Sequence, residues 1–160
     1  MSIHLNSAAT GLALTPPPRM AIIVSRFNEG VTSGLRDGAL AWLAEHGISA
    51  EHVDIYEAPG AFEMPLMAKR LIRVGRHEGI ICLGCVIKGE TAHFEFISLG
   101  ATLGIMQAQL AAETPVSFGI LTVYDEDQAL VRSQDDVHNK GREAAAACAE
   151  SVSFMRTVKP

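Results

Sequence analysis

The sequence predicts an α/β fold, a three-layer sandwich in which a four-stranded parallel sheet carries helices on both faces. Two observations predict it. Short apolar runs rich in Val and Ile alternate with longer segments whose apolar residues recur at helical spacing. Such alternation implies parallel strands joined by right-handed helical crossovers. The chain has 160 residues, 48% hydrophobic and 19% charged, which is a globular composition of one-domain size.

The elements follow in order. Residues 1–18 are expected to be a flexible N-terminal tail, because Pro16-Pro17-Pro18 can continue neither a helix nor a central strand. Residues 19–160 then form a single domain. Ala21 to Val24 is a buried strand. Val31 to Glu45 is a helix, with Val31, Leu35, Ala39, Trp42 and Leu43 at helical spacing and Gly47 as its stop. His52 to Tyr56 is the second strand. Ala61 to Val74 is the second helix, with Arg70 and Arg73 in its last turns, where cations suit the helix dipole. Gly79 to Ile87 is the strongest strand, Ala92 to Ala112 a long third helix, and Pro115 to Val123 the fourth strand. Glu126 to Gln134 is a short helix, and Lys140 to Val158 an alanine-rich final one. The order β-α-β-α-β-α-β-α-α fits a flavodoxin-like sheet.

The third helix is apolar on two sides. Phe94, Ile97, Ala101, Ile105 and Ala108 form one stripe, and Phe96, Leu99, Leu103, Met106 and Leu110 another. One stripe can face the sheet, but a surface helix does not carry two. The second is read as buried against another copy of the chain, a homo-oligomer, over the alternative of a helix sandwiched within one domain.

The formal net charge of −5 disfavours nucleic acid, whose binders carry a basic face. No apolar run reaches the ~18 residues of a membrane span. Three cysteines and the lack of a charged segment followed by an apolar run point to a reducing, cytoplasmic setting.

Ligands of open parallel sheets bind beyond the carboxyl ends of the strands, and the polar and glycine-bearing segments fall there. Phe27 follows the first strand and can stack on a flat heterocycle or pack on its own helix. Pro59-Gly60 makes a tight turn. Ala61, Phe62 and Glu63 then open a helix whose leading amides can grip a polar ligand. Glu63 can bind hydroxyls or simply complement the helix dipole. Gly89-Glu90-Thr91 opens the third helix as an anion site, or Thr91 is only its cap. His93, in that first turn, is the best general acid–base candidate, since imidazole exchanges protons near neutral pH. Cys82 and Cys85 have metal-knuckle spacing, but positions three apart in a strand point to opposite faces, so they read as core. Arg132 suits a phosphate or is a solvated helix charge.

Together and in order, Ser25-Arg26-Phe27-Asn28, Pro59-Gly60-Ala61-Phe62-Glu63, Gly84 through Phe94, Phe118-Gly119-Ile120-Leu121-Thr122 and Asn139-Lys140-Gly141 resemble the lumazine synthase family over residues 20–155. The resemblance implies condensation of 5-amino-6-(D-ribitylamino)uracil with 3,4-dihydroxy-2-butanone 4-phosphate to 6,7-dimethyl-8-ribityllumazine, with release of phosphate and water. It implies no metal and no cofactor. By position, Phe27 would stack on the pyrimidine, Ala61, Phe62 and Glu63 hold the ribityl chain, and the backbone of Cys85, Val86 and Ile87 contact the pyrimidine. Phe118 would come from a neighbouring subunit. Glu90, Thr91 and Arg132 would form the phosphate site, Arg132 again from the neighbour, and His93 would transfer protons. A pentamer or a multiple of it is implied, with riboflavin synthase as a candidate partner. Asp135 and Asp136 depart from the pattern, since acids near Arg132 would weaken a phosphate site. The alternatives are a catalytically weak flavin- or lumazine-binding relative and a shell-forming scaffold.

Overall fold

The structure is a computed structural model describing residues 11–160. Its sheet has four parallel strands in the order β2-β1-β3-β4. They are β1 (Met20–Ser25), β2 (Val53–Ala58), β3 (Gly79–Ile87) and β4 (Val116–Val123). The helices are α1 (Glu29–Glu45), α2 (Met64–Val74), α3 (His93–Ala112), α4 (Glu126–Val131) and α5 (Lys140–Thr157). The flavodoxin-like architecture expected from the sequence is therefore present, element for element.

Two apolar cores sit on the two sheet faces. One joins Ile22, Ile81 and Leu83 to Leu35, Trp42 and Leu43 of α1 and to the Ala144–Ala149 face of α5. The other joins Ile23, Ile80 and Ile120 to Met64 and Ala68 of α2 and to Ala101 and Ile105 of α3. Strands buried on both faces explain the continuous apolar runs of β1 and β3. Cys82 and Cys85 fall in different cores, as strand alternation requires.

Two element boundaries differ from those the helical spacing predicts. The second helix begins at Met64 rather than Ala61, and Ala61–Glu63 is a separate 3-10 turn. Pro65 explains this: its ring suits the first turn of an α-helix and no position further in. The short helix α4 stops at Val131, and residues to Gln134 turn away.

Of the expected tail, residues 1–10 lie outside the described residues. Residues 11–18 are held against the body, a correction to a tail running to residue 18. Leu14 is buried in the α1/α5 core. The Ala13 amide donates to Ser153 Oγ at 2.7 Å, and Arg156 donates to the carbonyls of Ala13 and Pro16 at 3.0 and 2.8 Å. Arg156 also pairs with Glu78 at 2.7 Å. Proline bars regular structure here, but it does not bar docking through side chains and carbonyls.

Candidate active site

The carboxyl ends of β1, β2 and β3 open onto one cavity of about 470 Å³, lined by Phe27, Asn28, Gly60, Ala61, Phe62, Glu63, Cys85, Val86, Ile87, His93 and Ile97. Phe27 sits in the turn after β1, where its amide donates to Ser25 Oγ at 3.1 Å and the residue is 67% exposed. A ring bared to this degree is available for stacking and is not packed on its own helix. Gly60 lies beneath it. A Cβ there would stand 3.5 Å from Cδ2 of Phe27 and 3.1 Å from Oε2 of Glu63, so ring and carboxylate flank the same glycine.

The Ala61–Glu63 turn leaves the amides of Ala61 and Phe62 without an acceptor inside the turn. Phe62 packs over α3, where a Cβ on Gly100 would come within 2.6 Å of its ring, and Pro65 packs likewise over Gly104. Glycines four apart on one helix face thus let the β2–α2 turn and the first turn of α2 approach the middle of α3 closely. That approach brings Glu63 and His93 to one cavity.

His93 is the first residue of α3, and its amide faces Thr91 Oγ1 at 3.4 Å. The preceding loop is pinned at both ends by one ion pair. Lys88 donates to Glu95 at 3.0 Å and lies over the rings of Phe94 and Tyr124, 5.9 and 5.6 Å from their centroids. The pair raises the Lys88 ammonium and lowers the Glu95 carboxyl from their ordinary values, chiefly through that hydrogen bond. Glu90 and Thr91 are exposed on this loop, at the rim and outside the cavity lining. Cys85 does line the cavity, but burial pushes its thiol up to about 11. It remains a thiol at neutral pH, which removes it as a nucleophile.

Phe118 and Arg132 are not brought to this cavity. They border a second concavity of about 520 Å³ along β4 and α5, together with Lys140 and Glu143. This concavity runs along the edge strand β4 and shares no lining residue with the first cavity.

A family model described as 6,7-dimethyl-8-ribityllumazine synthase matches residues 17–156. The chain belongs to the 6,7-dimethyl-8-ribityllumazine synthase family. It is 60% identical over 143 residues, 89% of this chain and 94% of the relative, to 6,7-dimethyl-8-ribityllumazine synthase 1 of Caulobacter vibrioides. It is 46% identical to the 6,7-dimethyl-8-ribityllumazine synthase of Salinibacter ruber, over 86% of this chain and 88% of the relative. The protein of the same name from Pediococcus pentosaceus is 44% identical over 88% and 90%.

Two contacts in this lumazine synthase family chain concern the expected phosphate segment, which lies outside the cavity. Arg132 Nη1 donates to the Gln128 carbonyl at 2.8 Å, which braces the guanidinium along α4. Asp136 accepts from the His138 amide at 2.7 Å, which holds one of its carboxylate oxygens on the turn before α5. The cavity also takes in Asn28, Gly60 and Ile97, which the sequence reading does not place among its contacts. Asn28 and Gly60 stand inside the family motifs. Ile97 stands in the helical stripe, where periodicity points only to burial. Among the described residues, no group of His, Cys, Asp and Glu could hold a metal ion, and no helix is long and apolar enough to cross a membrane.

Proposed function

We infer that the protein forms 6,7-dimethyl-8-ribityllumazine from 5-amino-6-(D-ribitylamino)uracil and 3,4-dihydroxy-2-butanone 4-phosphate, in a site shared between neighbouring copies of the chain. The observation that carries this reading is the gathering of an exposed aromatic ring, a carboxylate and an imidazole, Phe27, Glu63 and His93, on one cavity of a chain whose relatives bear that name.

The chemistry suits those groups. The pyrimidine amine adds to the ketone and water leaves, giving an imine. Loss of a proton beside the imine expels phosphate. The enol left by that elimination takes a proton at its terminal carbon and becomes a ketone, and the ribityl-bearing nitrogen closes on this new carbonyl with loss of a second water. Each step moves a proton and none moves an electron to an acceptor, so one imidazole beside a phosphate clamp suffices. Phe27 stacks on the pyrimidine, Glu63 and the amides of Ala61 and Phe62 take the ribityl hydroxyls, and the end of β3 meets the pyrimidine edge. His93 transfers protons, and fixing both substrates supplies much of the rate.

The phosphate clamp is Glu90 and Thr91 of one copy with Arg132 of the next, and Phe118 of the next copy closes the pyrimidine side. Two features support sharing. Phe118 and Arg132 line an outward concavity on the edge strand. The second stripe of α3 is bare in the single chain, with Phe96 70% and Leu110 69% exposed; apolar stripes of this kind mark association surfaces. A cyclic pentamer, with the stripe against the neighbour, accommodates both features, and riboflavin synthase is a candidate consumer of the product. The reading places the enzyme in the cytoplasm, as a single domain that takes in residues 11–18 together with 19–160.

The test is an absorbance assay with both substrates, following appearance of the lumazine, with sedimentation to give the assembly mass. Product formed in proportion to enzyme supports the reading. Binding of the pyrimidine without turnover would replace it with a binding protein.

A further inference from the structure

Asn28 occupies an unusual place. It precedes α1 with φ 56 and ψ 51, in the left-handed region that asparagine tolerates better than most residues. Its carbonyl accepts from the amides of Val31 and Thr32 at 2.8 and 3.0 Å. An asparagine here ordinarily caps the helix with its side chain, but this side chain makes no capping bond. Its Nδ2 instead donates to the Cys85 carbonyl at 3.0 Å, across 57 residues of sequence.

The sheet register explains what that bond replaces. β1 pairs with β3 only as far as Val24 against Leu83. β3 continues beside β4 to Ile87 against Val123. Past Leu83 one side of β3 therefore has no strand, and that side faces the cavity. Ile80 and Lys88 donate to the β4-side carbonyls of Pro115 and Val123, each at 2.9 Å. The alternation of a parallel strand then turns the main-chain groups of Cys85 and Ile87 the other way, toward the missing strand. The Asn28 carboxamide takes the first of these positions, and the second is left open to a ligand.

We propose that Asn28 is a positioning residue: its carboxamide stands in for the absent rung of β1, fixes the end of β3 through Cys85, and so sets the distance between the Ile87 main chain and the Phe27 ring that grips a planar heterocycle. The inference rests on the proposed function for the identity of that heterocycle. One residue carries both halves of the grip, since Phe27 is its chain neighbour and Cys85 its hydrogen-bond partner.

Two variants separate the bond from the backbone. Asn28→Gly keeps the left-handed conformation and removes the donor. Asn28→Asp keeps the size but sets an acceptor against the Cys85 carbonyl. Losing one hydrogen bond should raise KM for the pyrimidine ~10-fold in Asn28→Gly and further in Asn28→Asp, with the KM for the ketose phosphate held. Amide hydrogen exchange of the unliganded protein supplies a readout independent of activity, with faster exchange expected at residues 86–88 in Asn28→Gly. An unaltered pyrimidine KM, an equal rise for both substrates, or exchange confined to wild-type rates would each overturn the proposal. Wild-type protein that makes no lumazine would overturn the functional reading instead, and the exchange measurement would still decide whether Asn28 holds β3.

Discussion

The backbone of α5 rests directly on the backbone of α1 at Gly141 and Leu35: a Cβ on Gly141 would stand 1.8 Å from the Leu35 carbonyl oxygen. Two more glycines extend the contact. A Cβ on Gly34 would meet the Ser133 carbonyl at 2.3 Å, and one on Gly38 would meet the Asn139 side chain at 2.3 Å. Asn139, fully buried, donates to the carbonyls of Gly34 and Gln134 at 3.0 and 2.8 Å and caps α5 by accepting from the Gly141 amide at 2.8 Å. Lys140 N donates to the Arg132 carbonyl at 2.8 Å. The crossing thus fixes the segment that carries Arg132.

Replacing Gly141 by Ala should therefore destabilise the fold by ~2–4 kcal/mol, since backbone cannot yield as a side chain can. Gly30→Ala is the control, because nothing lies within 4 Å of a Cβ there and alanine is the better helix former by up to ~1 kcal/mol. Thermal denaturation of the two should give shifts of opposite sign. A Gly141→Ala protein as stable as wild type would mean that the helices can move apart freely.

His93→Ala should lower kcat by ~10²-fold or more, the usual share of a positioned acid–base group. A measurable rate should survive, because the cavity still holds both substrates together. Steady-state kinetics decide it; an unchanged kcat removes His93 from proton transfer.

Arg132→Ala should raise KM for the ketose phosphate and leave that for the pyrimidine, and a shared site makes a sharper test possible. In mixed assemblies of His93→Ala and Arg132→Ala subunits, an intact imidazole meets an intact guanidinium at about a quarter of interfaces if pairing is random. Co-expressed subunits assayed at low ketose phosphate should recover activity that neither variant has alone. Recovery no greater than the average of the two would place both residues in the same subunit's site.

Acid should weaken the fold through Asp54. Arg19 bonds its carboxylate bidentately at 2.9 and 2.5 Å, and His77 Nε2 lies 2.8 Å away. The Arg19 bond first and the His77 bond second hold this carboxyl at about 2, against ~3.9 for an unfolded aspartate. The folded value is the lower one, so the stabilisation is complete above the unfolded value and fades as pH falls through the folded one, by up to ~2 kcal/mol. Circular dichroism melts between pH ~5 and ~2 should show a shallower loss in Asp54→Asn than in wild type. Parallel slopes would assign acid sensitivity to other carboxylates.

The alternation of elements, the facing of α3 toward the sheet through Ala101, Ile105 and Ala108, and the placement of Phe27, Glu63 and His93 at strand ends were all legible in the chain. Strand and helix periodicity are properties of near neighbours, and parallel topology sends every strand end to one edge. The start of α2 was misplaced by three residues because the run from Ala61 is apolar enough for helix, and only Pro65 marks the first α-helical turn.

The sequence alone therefore determined the order of strands and helices and the edge on which chemistry would gather. Tertiary structure decided which distant groups meet: Asn28 with Cys85, Gly141 with Leu35, Ala13 with Ser153 and Asp54 with His77. It also decided that Phe118 and Arg132 open onto a different surface from His93. The reason is that such meetings depend on how packed layers cross, a relation between residues far apart in the chain that leaves no periodic trace along it.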